Sequence, residues 1–198
     1  MASSDVRLIL ASASPRRREL LGRFGVPFEV IPAAGEESAG EGLAPGELVR
    51  ALAEAKAAEV ERTVADSRAV IIAADTVVEL DGAILGKPGT PERAKAMLTA
   101  LSGKTNRVWS GLCVRRGSES RSACECTEVF FRPLREEEID AYVATGEPLD
   151  KAGAYGYQSL ASLFVERIEG DYFNVVGLPL CRLGELLRGF GVELLGRP

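Results

Sequence analysis

The chain has 198 residues, of which 46% are hydrophobic and 27% charged, and carries a formal net charge of −5 at pH 7. That length and balance suit a globular protein with a substantial core, built as one domain or one two-lobed domain. The acidic balance argues against a protein whose main task is gripping duplex nucleic acid, and no apolar run approaches the roughly 20 residues that span a bilayer. Leu8–Leu10 is too short for the apolar region of a signal peptide and Asp5 precedes it, so a cytoplasmic location is expected.

From the N-terminus, Leu8–Leu10 reads as a buried strand, Ala11-Ser12-Ala13-Ser14 as a hydroxyl-rich turn, and Pro15 onward as a helix. Ser14 is a good N-cap, and Pro15 fits the first helical position because its missing N–H would be unpaired there anyway. Gly25 is the expected stop. Arg16, Arg17 and Arg18 crowd the first turn, where free amides and the positive end of the helix dipole add to their charge. This is either a site for a polyphosphate or another multivalent anion, or a capped surface helix with solvated arginines.

The segment 45–62 places Leu48, Leu52, Ala55 and Val60 near helical spacing, with Lys56 one turn on from Leu52. Val70–Ala74 is a short run rich in branched residues and reads as a buried strand. It continues through Asp75 to Val78 and meets the turn signal Asp81-Gly82, with Ala83–Leu85 as the return strand. Thr90 caps, and Pro91 opens, a helix to Leu101 that ends at Gly103. Segments 107–116 and 121–131 alternate as paired strands around Gly117-Ser118, 135–144 is helical, 162–168 reads as a strand, and 178–188 as a closing helix. Hairpins and crossovers together imply an α/β protein with a mixed sheet.

The chain has no histidine, so a Ser-His-Asp or Cys-His mechanism and a His-ligated metal are excluded. A general base must then be a carboxylate, Lys, Tyr or Cys, and a bound metal would be a hard, oxygen-ligated cation. Cys113, Cys124, Cys126 and Cys181 are too scattered for a zinc site and read as reduced structural thiols. Asp75 follows an almost unbroken apolar run, which puts its carboxylate at or near a strand end lining a cleft, as a metal or water ligand or as a hydrogen-bonded turn residue. Lys87, between Gly86 and Pro88, sits on a loop suited to phosphate, or is simply solvated. Glu36 and Glu37 form an acidic pair in a Gly-rich loop, open to a metal or to water.

Five blocks then assemble into a known pattern. Ala11-Ser12-Ala13-Ser14-Pro15-Arg16-Arg17, Ala74-Asp75-Thr76-Val77-Val78, the run from Asp81 to Pro88, the run from Leu149 to Gly156, and the run from Gly170 to Leu180 resemble the Maf family, in the same order and with similar spacing. The resemblance extends from about Leu8 to about Leu187.

It implies a single domain over residues 1–198 with a two-lobed α/β, ITPase-like fold: a twisted mixed sheet flanked by helices, and a cleft for the nucleotide. It also implies a homodimer and a nucleoside triphosphate pyrophosphatase, releasing a nucleoside monophosphate and pyrophosphate with Mg²⁺ or Mn²⁺. Carried over by motif, Asp75 is the proton acceptor that activates water, Glu37 assists it at the metal, and both are metal ligands. Ser12, Arg17, Lys56 and Lys87 hold phosphates. Arg16, Thr76 and Gln158 stand at the positions that separate substrates, and resemble the dTTP/UTP branch rather than the 7-methyl-GTP branch, which has Trp, Gln and Glu there. An amide such as Gln158 can both donate to and accept from a uracil or thymine edge.

Three positions depart from the family pattern: Asn106 stands where relatives commonly have His, and Tyr157 and Ser159 flank Gln158 in place of a small aliphatic residue and a Gly. A 7-methyl-GTP pyrophosphatase and a non-catalytic nucleotide-binding regulator of septum formation remain as alternatives. No nucleic-acid or membrane partner is expected. The implied biological role is sanitation of the nucleotide pool, with a link to cell-division arrest.

Overall fold

The computed structural model describes residues 6–34 and 42–195. Among these residues seven strands form one mixed sheet: β1 (Leu8–Leu10), β2 (Glu29–Val30), β3 (Val70–Leu80), β4 (Ala83–Leu85), β5 (Thr105–Arg116), β6 (Glu119–Phe131) and β7 (Val165–Glu169). Their order is β2-β1-β3-β5-β6-β7, with β4 paired to β3 outside that path. β1 runs parallel to both β2 and β3, whereas β3–β4 and β6–β7 are antiparallel. Helices α1 (Pro15–Gly22), α2 (Pro45–Val64), α3 (Pro91–Leu101), α4 (Glu136–Ala144), α5 (Tyr172–Val176) and α6 (Leu180–Arg188) complete this α/β fold. None of its described helices is long and apolar enough to cross a membrane.

Local chemistry explains most of these boundaries. The Ser14 hydroxyl accepts from the Arg17 amide at 3.5 Å, and Thr90 does the same for Arg93 at 3.3 Å, so α1 and α3 each begin with a side-chain cap followed by proline. The β3–β4 hairpin turns on Asp81 and Gly82 with φ of 51° and 83°, the two left-handed positions that a two-residue turn of matching twist demands.

The described residues fall into two compact units. The first contains the described residues among 1–75, 110–125 and 177–198. In it, Ala53, Ala57 and Val60 of α2 pack with Ile9, Ile71, Ala73 and Cys113. Gly111 permits this approach: a Cβ there would lie 2.1 Å from the carbonyl oxygen of Val49, so only glycine lets α2 sit so close to β5. The second contains residues 76–109 and 126–176, with a core of Leu98, Leu101, Val129, Phe131, Tyr142, Tyr155 and Phe164 among others. Three short 3₁₀ turns, Glu147–Asp150, Ala152–Ala154 and Leu160–Leu163, occupy the stretch between α4 and β7.

Several sequence expectations change, and α1 ends at Gly22 before the expected stop at Gly25. The strand expected from Ser162 begins at Val165, because Leu160–Leu163 is a 3₁₀ turn held by Ser162 N–H to Ser159 at 3.0 Å and Phe164 N–H to Ala161 at 3.0 Å. The closing helix begins at Leu180, because Pro179 stands just outside its first turn.

Candidate active site

In the first unit, β1 and β3 pair in register Leu10↔Ile72, and the Ala11 amide extends the ladder to the Ile72 carbonyl at 2.7 Å. The chain then leaves the sheet through Ser12, Ala13 and Ser14. The Ser12 hydroxyl, 7% exposed with its residue, accepts from the Ser14 amide at 3.2 Å. Arg17 turns inward. Its Nε donates to the Gly177 carbonyl at 2.8 Å, and its Nη1 to the Ala74 carbonyl at 2.9 Å and to Ser12 Oγ at 3.3 Å. One planar guanidinium thus ties together the turn after β1, the backbone just before Asp75 and the start of the C-terminal segment. Arg16, like Arg17, is half-buried, and Arg18 is exposed.

Asp75 lies six residues into the eleven-residue strand β3, so it sits at mid-strand rather than at the strand end that its apolar prelude suggested. The reason is that pairing of β3 continues through Val78–Leu80 with β4. Its carboxylate is buried and forms an ion pair with the ammonium of Lys56, which α2 delivers from 19 residues earlier. Ser12, Arg17, Lys56 and Asp75 therefore gather within one unit: a buried carboxylate, an ammonium, a guanidinium-braced backbone and a hydroxyl. Such a group can bind an anion and accept a proton at one place. Sequence reading placed Lys56 and Asp75 in different roles and missed their pairing, since nothing in their spacing signals it. It also missed the Gly177 carbonyl, which carries no side-chain signature.

Thr76, Lys87 and Gln158 belong to the second unit. Thr76 is half-buried on β3. Lys87 is exposed on a loop fastened at both ends to one segment: the Gly89 amide donates to the Leu149 carbonyl at 3.1 Å, and the Gly153 amide to the Gly86 carbonyl at 3.1 Å. Gly153 is needed there, because its φ is +67° and a Cβ would lie 2.9 Å from the Val78 side chain. Gln158 is half-buried in the turn Gly156–Ser159. Asn106 is buried. It donates to the Val129 carbonyl at 3.1 Å and accepts from the Tyr155 hydroxyl at 2.8 Å. Burial pushes the Tyr155 phenol far above its ordinary value, so this pair stays neutral. Glu37 and its neighbour Glu36 lie outside the described residues.

A family description, "Maf-like protein", matches residues 7–190. The chain belongs to the Maf family. Among curated Maf relatives, the "dTTP/UTP pyrophosphatase" of Moorella thermoacetica is 52% identical over 194 residues, covering 96% of this chain and 98% of that protein. The "dTTP/UTP pyrophosphatase" of Bacillus cereus strain AH820 is 47% identical over 188 residues, covering 95% and 97%. The solved nucleoside-triphosphatase / dITP/XTP pyrophosphatase of Mycobacterium abscessus aligns with a TM-score of 0.43 at 15% identity, over 65% of this chain and 76% of that one.

Among the described residues no three His, Cys, Asp or Glu side chains are gathered to hold a metal ion. Asp75 contributes one carboxylate beside the Ser12 hydroxyl loop, all hard oxygen donors. One carboxylate suits Mg²⁺ or Mn²⁺ shared with a polyphosphate, since Mg²⁺ retains water and is commonly held by one or two carboxylates plus substrate phosphates.

Two other arginines of the first unit are committed to structure. Arg115 pairs with Glu61, and Arg116 donates to the Phe190 carbonyl at 3.1 Å with its guanidinium 5.5 Å from the Phe190 ring centroid.

Proposed function

We propose that this chain is a nucleoside triphosphate pyrophosphatase hydrolysing dTTP and UTP to the monophosphate and pyrophosphate. The observation that carries the reading is 52% identity over nearly the whole length to a dTTP/UTP pyrophosphatase, in a chain whose buried Asp75 is paired with Lys56 beside Ser12 and Arg17. Asp75 accepts the proton of the attacking water, and Lys56 orients its carboxylate. Ser12, Arg17, Lys56 and Lys87 hold the phosphates, with the inward fork of Arg17 keeping the backbone around Asp75 and Ser12 in place. Asp75, together with Glu37, would hold a divalent cation, Mg²⁺ or Mn²⁺. Such a cation neutralises phosphate charge when bound.

Arg16, Thr76 and Gln158 select the base, and the amide of Gln158 can satisfy both a donor and an acceptor on a pyrimidine edge. The chain works as one catalytic domain, as a homodimer in the cytoplasm, without nucleic-acid or membrane partners. Its biological task is nucleotide-pool sanitation, linked to division arrest. The test is pyrophosphate release from dTTP, UTP, CTP and 7-methyl-GTP with Mg²⁺ or Mn²⁺. Highest kcat/KM for dTTP and UTP is expected, and a lead for 7-methyl-GTP would overturn the assignment of Arg16, Thr76 and Gln158.

A further inference from the structure

The turn that carries Gln158 is closed by a carboxylate. Gly156 N–H donates to the Tyr142 hydroxyl at 3.3 Å, and Tyr142 donates to Glu147 Oε1 at 2.8 Å. The Ser159 hydroxyl donates to the same Oε1 at 2.5 Å, closer than its 3.2 Å approach to the Gly156 carbonyl. A hydroxyl has one proton to give, and the nearer, charged acceptor takes it. The path Gly156–Tyr142–Glu147–Ser159 therefore spans both ends of a four-residue turn, with Tyr157 and Gln158 between.

The frame around that path is fixed. The Tyr142 ring is buried and meets Phe164 edge-on at 5.3 Å and 87°. The Thr145 hydroxyl accepts from the Glu147 amide at 3.1 Å, and Lys151 Nζ donates to the Glu147 carbonyl at 2.9 Å and to Asp150 at 2.8 Å. The Lys151 stem fills the space over Gly156: a Cβ on that glycine would lie 2.9 Å from Lys151 Cε and 3.2 Å from Ser159 Oγ. Only a hydroxyl at position 159 makes the bond to Glu147, and Ser159→Ala would remove it.

We infer that Glu147, acting through Tyr142 and Ser159, is a positioning residue that sets the Gly156–Ser159 turn and so the reach of Gln158 to the pyrimidine. This rests on the reading of Gln158 as a base contact. The Glu147 carboxylate is committed to the Tyr142 and Ser159 hydroxyls and is not among the residues assigned to the phosphates or the attacking water, so its loss should change base binding and leave the chemical step alone. Within the Gln158→Ala background it has nothing left to position.

The experiment is steady-state kinetics with dTTP and UTP on the full chain carrying Glu147→Ala, Ser159→Ala, Glu147→Gln and Gln158→Ala, with the first two also combined with Gln158→Ala. Glu147→Ala and Ser159→Ala should each raise KM about fivefold to tenfold, the size expected for losing one charge-assisted hydrogen bond near a site, with kcat within about twofold. Glu147→Gln keeps an oxygen that accepts from both hydroxyls and should recover most of the KM. In the Gln158→Ala background the added effect of either change should fall below about twofold. An equal rise in KM in both backgrounds, or a loss confined to kcat, would overturn the positioning role while sparing Gln158. A Gln158→Ala variant with unchanged KM and base preference would instead overturn the base contact and the inference with it. Should Glu147→Ala fail to fold, the exposed Ser159→Ala carries the same comparison.

Discussion

Replacing Asp75 by asparagine separates chemistry from architecture at the centre of this site. The amide has the shape of the carboxylate but cannot take a proton from water at neutral pH. A positioned general base contributes about 10²–10⁴ in rate, so kcat should fall by that factor. The structural cost is smaller. The substitution removes the charged partner of Lys56, whose side chain is 18% exposed against 8% for Asp75. Lys56 can therefore turn part of its ammonium toward water, and the loss resembles that of one hydrogen bond to a charged group, about 1–3 kcal/mol, rather than that of a fully buried pair. In a chain of this size that corresponds to a fall in melting temperature of about 2–12 °C. The assay pairs pyrophosphate release with a circular-dichroism melt and direct dTTP binding. A folded, dTTP-binding variant with turnover reduced at least a hundredfold is the expected result. Turnover within threefold of the parent chain would refute the base assignment, and an unfolded variant would refute the estimate of how exposed the pair is.

Three further outcomes follow from other parts of the molecule. Gly111→Ala would drive a methyl into the α2 backbone at 2.1 Å from the Val49 carbonyl, and overpacking against backbone should cost about 3 kcal/mol or more, read as a lower denaturation midpoint in urea; an unchanged midpoint would mean that α2 does not pack as described. Glu138 is held well below its ordinary value of 4.5, first by the side-chain hydrogen bonds from Arg132 and then by the Arg135 backbone amide. A depressed carboxyl stabilises the fold above its unfolded pKa and loses that contribution as pH falls through the folded one, so Glu138→Gln should weaken the protein at pH 7 and flatten the decline in stability below about pH 4.5; parallel stability curves would contradict this. Cys124 and Cys181 are exposed, while Cys113 is buried, with its thiol pushed up by burial. Native protein should therefore react quickly with a thiol reagent at Cys124 and Cys181 and at Cys113 only after unfolding, and mass mapping that finds Cys113 modified in native protein would contradict the packing.

The sequence carried the elements whose signals are local. Ser14-Pro15 and Thr90-Pro91 begin helices, and Asp81-Gly82 turns a hairpin, because each residue type meets one backbone requirement within a few positions. The stretch from Glu147 to Leu163 was harder, since its 3₁₀ turns answer to side chains such as Tyr142 and Glu147 rather than to an apolar period. Leu160 and Leu163, three apart and exposed, do show the 3₁₀ spacing in retrospect. At the site, the identities of Ser12, Arg17, Lys56 and Asp75 were legible from their blocks. Their bonding was not: the Lys56–Asp75 pair spans 19 residues, and the Arg17–Gly177 bond spans 160, so both depend on how β1, α2 and β3 pack.

The most direct test of the functional reading is the product spectrum of dTTP hydrolysis by the full chain with Mg²⁺, followed by ³¹P NMR. Cleavage between the α- and β-phosphates gives dTMP and a growing pyrophosphate resonance with no dTDP, and this is the predicted result, with UTP behaving in the same way. Release of inorganic phosphate together with dTDP would place the cut at the γ-phosphate and contradict the account, as would unchanged triphosphate in the presence of either Mg²⁺ or Mn²⁺.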